Sequence, residues 1–403
     1  MQSSLNFASW LKGIRVLDFT AVLAGPHCTR ALAQAGADVI KIEQIGQGDA
    51  TRALPYNFAD GQSGYFKQQN LGKRSVAIDL GTADGHAIVM QLARQSQIVV
   101  ENFRPGVVQR LGIDYTSIQA VRPDVVYLSI SGWGQTGPHH HLTGEVLSTT
   151  ALSGLTAPDP SNSVATPERC SYGDTNAAIH GVAAIGAALV RAKRTGRGAY
   201  VDLAILEALL TCNAPELPEM LLAGDGAATG REYHGHGGDH VRVASGTFSC
   251  TDGHIYIAAL TDGAWRGLCG VIGLPEFAAL TPLARRAHAS AIYERLTAYC
   301  RARDARATIA ALSAEGLSAV PVRSIAAVVK SEESWAAGLV QEVLDARAGS
   351  VPVPTGVFAS RAFGRAPQSA EPLLGEHTRS VLRDLLGYAD PEIDRMIERG
   401  IAR

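Results

Sequence analysis

At 403 residues, with 46% apolar and 18% charged positions, the chain is long enough for two lobes, each with its own core. A formal net charge of −2 without any basic run excludes nucleic acid as a main partner, and the apolar runs are too short to cross a bilayer. The six cysteines are scattered with no C-x-x-C pair, and residues 1–10 lack a signal-peptide pattern. No zinc site or disulfide framework is indicated, and a cytoplasmic location is expected.

Ile14 to Phe19 reads as a short apolar strand, followed by Thr20 to Pro26 and a helix through Ala35; Val39 to Glu43 reads as a second strand. Such β-α-β alternation predicts a parallel sheet with crossover helices. Residues 46–64 read as loop, and Leu71-Gly72-Lys73-Arg74 leads into a strand at Val76 to Leu80. Taken alone, the Lys73-Arg74 pair is a solvated surface feature. A helix at Gly85 to Gln95 and a strand at Gln97 to Val100 come next. Glu101 to Gly106 then falls at a strand's C-terminal end, where open α/β sheets place their ligands. Arg110, on the following helix, is by default a surface arginine.

Asp124 to Ile130 reads as a further buried strand. The stretch after it, Gly132-Trp133-Gly134-Gln135-Thr136-Gly137, fits the G-x-G-x-x-G dinucleotide pattern. Its setting is wrong, since Pro138 and His139-His140-His141 stand where a helix should open. The histidines read as a loop feature and not a metal site, because adjacent histidines rarely converge on one ion. Glu145 has two readings, a pocket residue that handles protons or a helix-start glutamate.

From Ser171 to Asp202 the chain is rich in alanine and glycine, with apolar residues at helical spacing from Thr175 to Lys193, a glycine stop at Gly196 and a strand at Ala199 to Ile205. Asp174, at the mouth of this helix, is either a cap or a nucleophilic carboxylate kept ionised by the helix N-terminus. A helical arm follows at Glu207 to Ala223, then a glycine-rich patch from Tyr233 to His240, read as a lid or as a linker. Gly246 to Ala259 reads as a hairpin about Asp252-Gly253, followed by helices, a linker-like stretch from Gly316 to Pro321, and two last helices after Pro372 to Thr378. The expected layout is a large domain over 1–205, a helical linker over 206–230, a small α+β domain over 231–320 and a return segment over 321–403.

Five phrases stand in order along nearly the whole chain: DFTAVLAGP with LAQAGADVIKIE, VENFRPG, SGWGQTGP, GDTNAAIHG with TGRGAYVDLAILEALL, and PLLGEHT. In these the chain resembles the class III CoA-transferases, the family of formyl-CoA:oxalate CoA-transferase, to which the alpha-methylacyl-CoA racemases are related. The resemblance implies an α/β fold, with a Rossmann-like large domain made from both termini, a smaller α+β domain and an interlocked homodimer. It implies Asp174 as nucleophile and CoA contacts at Val22, Leu23, Ala24, Leu71, Gly72, Lys73, Arg74, Asn102, Phe103 and Arg110. It also implies a glycine loop over the reacting acyl group at His234, Gly235, His236, Gly237 and Gly238.

Two departures stand out. Gln44 occupies a place where formyl-CoA transferase-like enzymes carry arginine, and Gly144-Glu145-Val146 replaces the Gly-His-Asp of the racemases, so the racemase histidine is missing. The implied reaction moves CoA from an acyl-CoA, foremost succinyl-CoA, to a short carboxylic or dicarboxylic acid through an aspartyl anhydride and an aspartyl-CoA thioester. Each step exchanges one activated acyl for another, so no permanently bound cofactor or metal is expected. Arg52, His140, His234 and His236 are candidates to hold a second carboxylate. The alternatives are a CoA-ester racemase on the same fold, a nicotinamide-dependent oxidoreductase built on Gly132, Gly134 and Gly137, and a non-catalytic CoA-binding protein.

Overall fold

Six short runs dominated by Val, Ile and Leu become the strands β1 (Arg15–Asp18), β2 (Asp38–Glu43), β3 (Arg74–Ala77), β4 (Ile98–Glu101), β5 (Val126–Ser131) and β6 (Ala199–Ala204). A computed structural model describes residues 10–55, 58, 61–153, 171–213, 243–345, 347, 349–354 and 369–403. The strands form one sheet in the order β3-β2-β1-β4-β5-β6, with every pairing parallel. The order reverses between β1 and β4, which makes their C-terminal ends the switch point where doubly wound sheets open a crevice.

The connections carry α1 (Ala24–Gln34), α2 (Gly64–Asn70), α3 (Ala83–Arg94), α4 (Val107–Arg110), α5 (Tyr115–Val121), α6 (Val146–Leu152), α7 (Tyr172–Thr195) and α8 (Ile205–Leu210). Central strands are apolar on both faces because helices cover both. On one face Val16, Val39, Val100, Val126 and Leu128 pack with residues of α1, α7 and α8. On the other, Leu17, Ile40, Val76, Val99 and Tyr127 pack with residues of α3 and α5. That second face is completed by the chain's far end: Val381, Leu382, Ile393 and Ile401 join the same cluster, and Ala402 bridges to Ile78.

Contacts divide the chain into one unit of residues 1–214 with 338–403 and a second of 215–337. The second unit holds an antiparallel sheet of β7 (Ser245–Ser249), β8 (His254–Ala258) and β9 (Ser318–Pro321) around Trp265, Phe248 and Leu296. The β7–β8 hairpin turns at Asp252-Gly253, where Cys250 N–H donates to the Gly253 carbonyl at 2.7 Å. Two expectations need correction. The stretch expected to be a linker at 316–321 contains β9, whose four residues are too few to show an alternation but pair with β8. The return to the large unit begins at 338, not 321. The Val-Pro repeat before the last helices is β11 (Gly349–Pro354), paired with β10 (Val340–Asp345); prolines are tolerated there because a two-stranded ribbon has only edges.

The five described cysteines, Cys28, Cys212, Cys250, Cys269 and Cys300, are free thiols. No helix among the described residues is long and apolar enough to cross a membrane.

Candidate active site

Asp174 lies in the first turn of α7, whose N-cap is Ser171. It therefore stands within the first turn and is not the N-cap. Its side chain is half-buried and makes no hydrogen bond or ion pair with any described residue. Burial, and after it the charge of Glu145, push its carboxyl up from 3.8 to about 6. The helix start was expected to hold this group low; desolvation and a like charge outweigh the helix's partial positive charge. The carboxylate is still mostly ionised at neutral pH, and it is more basic than an ordinary aspartate.

Two close backbone approaches bring Glu145 into range. Gly132, at the end of β5, meets Gly144 so tightly that a Cβ on Gly132 would lie 2.9 Å from the Gly144 Cα. A Cβ on Gly173 would lie 2.8 Å from Ile205, 3.1 Å from Leu209 and 3.2 Å from Val146. Glycine at these points lets α6 and α8 close on the start of α7. Glu145 is the N-cap of α6, with its N–H donating to Ser148 Oγ at 3.1 Å. It is thus both a helix-start glutamate and a neighbour of Asp174. The G-x-G-x-x-G string serves this packing: no helix opens until Val146, so the dinucleotide reading fails on structure. His140 bonds the Gly137 carbonyl at 2.6 Å within that exposed loop.

The switch point holds a cavity of about 330 Å³. It is lined by Phe19, Thr20 and Ala21 after β1, by Glu43, Gln44 and Asp49 around the end of β2, by Ile78 to Gly81 after β3, and by Phe103 and Leu111 beyond β4. Tyr65 on α2, half-buried, relates the two places: burial raises its phenol, and the charges of Asp174 and Asp49 raise it further. Sequence reading missed Tyr65, because nothing in Gly64-Tyr65-Phe66 distinguishes it from a core aromatic.

The structure brings only some of the expected CoA contacts to this cavity. Phe103 lines it. Arg110 is exposed at the last position of α4, next to the lining residue Leu111. Val22 is exposed, while Leu23 and Ala24 are buried at the start of α1. The Asn102 side chain faces the protein, bonding both backbone groups of Ala21 at 2.8 Å.

The structure seats the segment 71–74 against the protein itself. Leu71 packs in the core with Val343, Val351 and Val353. Gly72 adopts φ 75°, and its N–H donates to the Ala370 carbonyl at 3.4 Å. The Lys73 ammonium is fully buried on Asp18, 3.0 Å away, and also donates to the Pro26 carbonyl and to Asn70 Oδ1. Arg74 forks onto Asp38 at 2.9 and 2.6 Å. Leu71 to Lys73 precede β3 and Arg74 opens it, whereas a parallel sheet offers ligands the residues after its strands. Ile78 to Gly81 hold that place. Arg52, a candidate to hold the acceptor, forks onto Glu43 at 2.8 and 2.7 Å and stacks 3.7 Å over Phe66. The glycine loop at His234, Gly235, His236, Gly237 and Gly238 lies outside the described residues.

A doubly wound sheet with a cavity at its switch point, and a carboxylate at the start of α7 without a partner among the described residues, define an α/β protein of the kind that binds its ligand at the C-terminal ends of the strands. The model of CoA-transferase family III matches residues 11–378, and the chain belongs to that family. It is 33% identical to a succinate–glutarate CoA-transferase of Agrobacterium fabrum, over 93% of this chain and 95% of the relative. It is 30% identical to the succinyl-CoA:glutarate CoA-transferase of Mus musculus, over 99% of this chain and 92% of that one. Among solved structures, a CaiB/BaiF family protein from Brucella suis superposes with a TM-score of 0.80 at 28% identity, over 93% of this chain and 99% of the other.

Proposed function

We propose that this chain moves CoA from an acyl-CoA, foremost succinyl-CoA, to a short dicarboxylic acid of the glutarate class, with Asp174 as the group that is acylated. One observation carries the reading: Asp174 is a half-buried carboxylate that caps nothing, pairs with nothing described, and is raised to about 6. Such a carboxylate is ionised at neutral pH, and it is basic enough to attack a thioester. Two relatives named for succinate or succinyl-CoA and glutarate support the substrate class.

Four steps balance without any added oxidant, metal or nucleoside triphosphate. An Asp174 oxygen attacks the donor thioester carbonyl, expelling CoA thiolate and leaving a mixed anhydride. The thiolate then attacks the aspartyl carbonyl of the anhydride, forming aspartyl-CoA thioester and releasing the donor acid. The acceptor carboxylate attacks that thioester, giving a second anhydride and free thiolate. Attack of the thiolate on the acceptor's acyl carbon releases the new acyl-CoA and restores the Asp174 carboxylate. Glu145, close enough to raise Asp174, favours the acylated states, in which the aspartyl charge it repels is gone. The cavity at the switch point suits the nucleotide end of CoA, with Phe103 in its wall and Arg110 beside it for a phosphate. The glycine loop at 234–238 is proposed as the cover that keeps water from the anhydride.

No permanently bound cofactor is proposed, and the working compartment is the cytoplasm. An interlocked homodimer is part of this reading. It is supported by the apolar side chains exposed along and beside α7, namely Tyr172, Ile179, Val190, Leu152 and Leu210. Light scattering of the purified protein is expected to return twice the 42.4 kDa chain mass.

The mechanism is tested by incubating the protein with succinyl-CoA, quenching with hydroxylamine and mapping peptides by mass spectrometry. A hydroxamate at Asp174 is expected. Turnover to glutaryl-CoA without any adduct at Asp174 sinks the proposed role.

A further inference from the structure

The last residue of β4, Glu101, is 1% exposed and makes no ion pair with any described residue. Its counterparts at the ends of β1 and β2 are both paired, Asp18 with Lys73 and Glu43 with Arg52. Strand register sets Glu101 beside Ser129 of β5, and Ser129 beside Asp202 of β6. The Ser129 hydroxyl accepts from Gln135 Nε2 at 2.8 Å, and the Gln135 N–H donates to Asp202 Oδ2 at 3.0 Å. The titratable groups that face Glu101 are Tyr127 on β5 and Tyr200 and Asp202 on β6.

The two carboxyl oxygens are used differently. Oε2 accepts the Phe103 N–H at 2.8 Å, and Phe103 lines the cavity at the switch point. Oε1 is buried without a hydrogen-bond partner among the described residues. Burial pushes the carboxyl up to about 7 against the pull of the Ser129 hydroxyl and the Phe103 N–H, and the charge of Asp202 adds to the rise. A buried carboxylate that no cation compensates costs the fold stability. A glutamine would accept from Phe103 without that cost, so a purely structural role does not account for the acid. What the acid adds is charge: an ionised oxygen holds an N–H more strongly than a neutral one.

We infer that Glu101 is a positioning residue: its ionised carboxylate holds Phe103 in the cavity wall, so that affinity for the acyl-CoA follows the charge on Glu101. The inference rests on the CoA-transferase reading, which supplies the ligand. Glu101 acts through Phe103 and does not touch the reacting atoms.

The test is calorimetric binding of coenzyme A itself, which has no acyl group to transfer, to wild type and Glu101→Gln from pH 6 to pH 8. Glutamine keeps an acceptor for the Phe103 N–H and never carries charge, and ionisation of the ligand cancels in the ratio of the two Kd values. At pH 6 the two proteins are expected to agree within about twofold. At pH 8 wild type is expected to bind about tenfold more tightly, with the change centred near 7. A ratio that is the same at both ends overturns the inference. So does tighter binding by Glu101→Gln at pH 8, which would mean that the carboxylate only repels the CoA phosphates. Asp202→Asn is a second, independent variant. It keeps Glu101 and removes the charge that helps to raise it, so the wild-type binding profile is expected to shift to lower pH with its plateaus kept. A profile that stays put overturns the inference even if Glu101→Gln does not fold. CoA binding with this pH dependence but no transfer refutes the functional reading alone. Transfer with a flat ratio overturns the inference alone, and absence of CoA binding overturns both.

Discussion

Asp174 is the proposed nucleophile, and its position costs the fold something. Its folded carboxyl titrates near 6 against an ordinary 3.8, chiefly because it is desolvated. A raised acid binds its proton more tightly in the folded state, so its contribution favours folding below about pH 4 and becomes a penalty as pH rises through about 6. Asp174→Asn removes that titration. The variant is expected to lose transfer by at least about 1,000-fold while still binding CoA. At pH 8 it is expected to be more stable than wild type by about 1–2 kcal/mol, a figure discounted for the group's partial exposure. By pH 4 the gap should close; denaturant unfolding at the two pH values checks the sign, and a less stable variant at pH 8 contradicts it. Glu145 is the second cause of the raised value. Glu145→Gln should move the acidic limb of the pH–rate profile downward, though not to 3.8, because burial remains. A limb that stays put would show that the two carboxylates do not couple.

At the scale of elements, the site exists because three helices meet where there is no room for a side chain. Gly173→Ala adds a methyl 2.8 Å from Ile205 on α8 and 3.2 Å from Val146 on α6. Overpacking of this kind costs about 1–3 kcal/mol. Its second effect is more diagnostic: as α6 is pushed outward, Glu145 recedes and the acidic limb of the pH–rate profile falls toward that of Glu145→Gln. Loss of stability with an unshifted limb would mean that α8 alone gives way. The Gly-Asp pair that opens α7 thus couples packing to acidity, since the glycine admits the helix whose carboxylate tunes the aspartate.

At the scale of the whole molecule, the large unit is closed by residues far from it in sequence. Lys67 on α2 is buried between Asp345 and Glu371, 2.6 Å from each, and both carboxylates are 2% exposed. Arg347 braces the same pair at 3.0 Å. Lys67→Met leaves two buried carboxylates with less compensation, and the expected loss is about 3–5 kcal/mol at neutral pH. The defect should narrow as pH falls toward 4, because protonation removes the uncompensated charge. A Lys67→Met protein as stable as wild type at pH 7 would show that Arg347 alone neutralises the pair.

The sequence by itself determined the strand–helix alternation, the parallel sheet, the long alanine-rich helix with its glycine stop and the place of Asp174 at the start of that helix. Each of these is written in local periodicity or in one continuous phrase, and local patterns are set by neighbours along the chain. It also pointed to Glu101 to Gly106 as a ligand-facing loop, because that stretch ends a strand. Tertiary structure alone decided which cations are free. Lys73, Arg74 and Arg52 look alike in sequence to any binding residue, yet each is bonded to an acid that lies 9 to 55 positions away. It alone put Ile78 to Gly81 in the cavity wall, exposed Tyr65 to the charges of both Asp174 and Asp49, and brought the Ala402 end back beside β3. The physical reason is common to all of these: burial and pairing depend on what the fold brings within a few ångströms, and residue type and spacing carry no record of that distance.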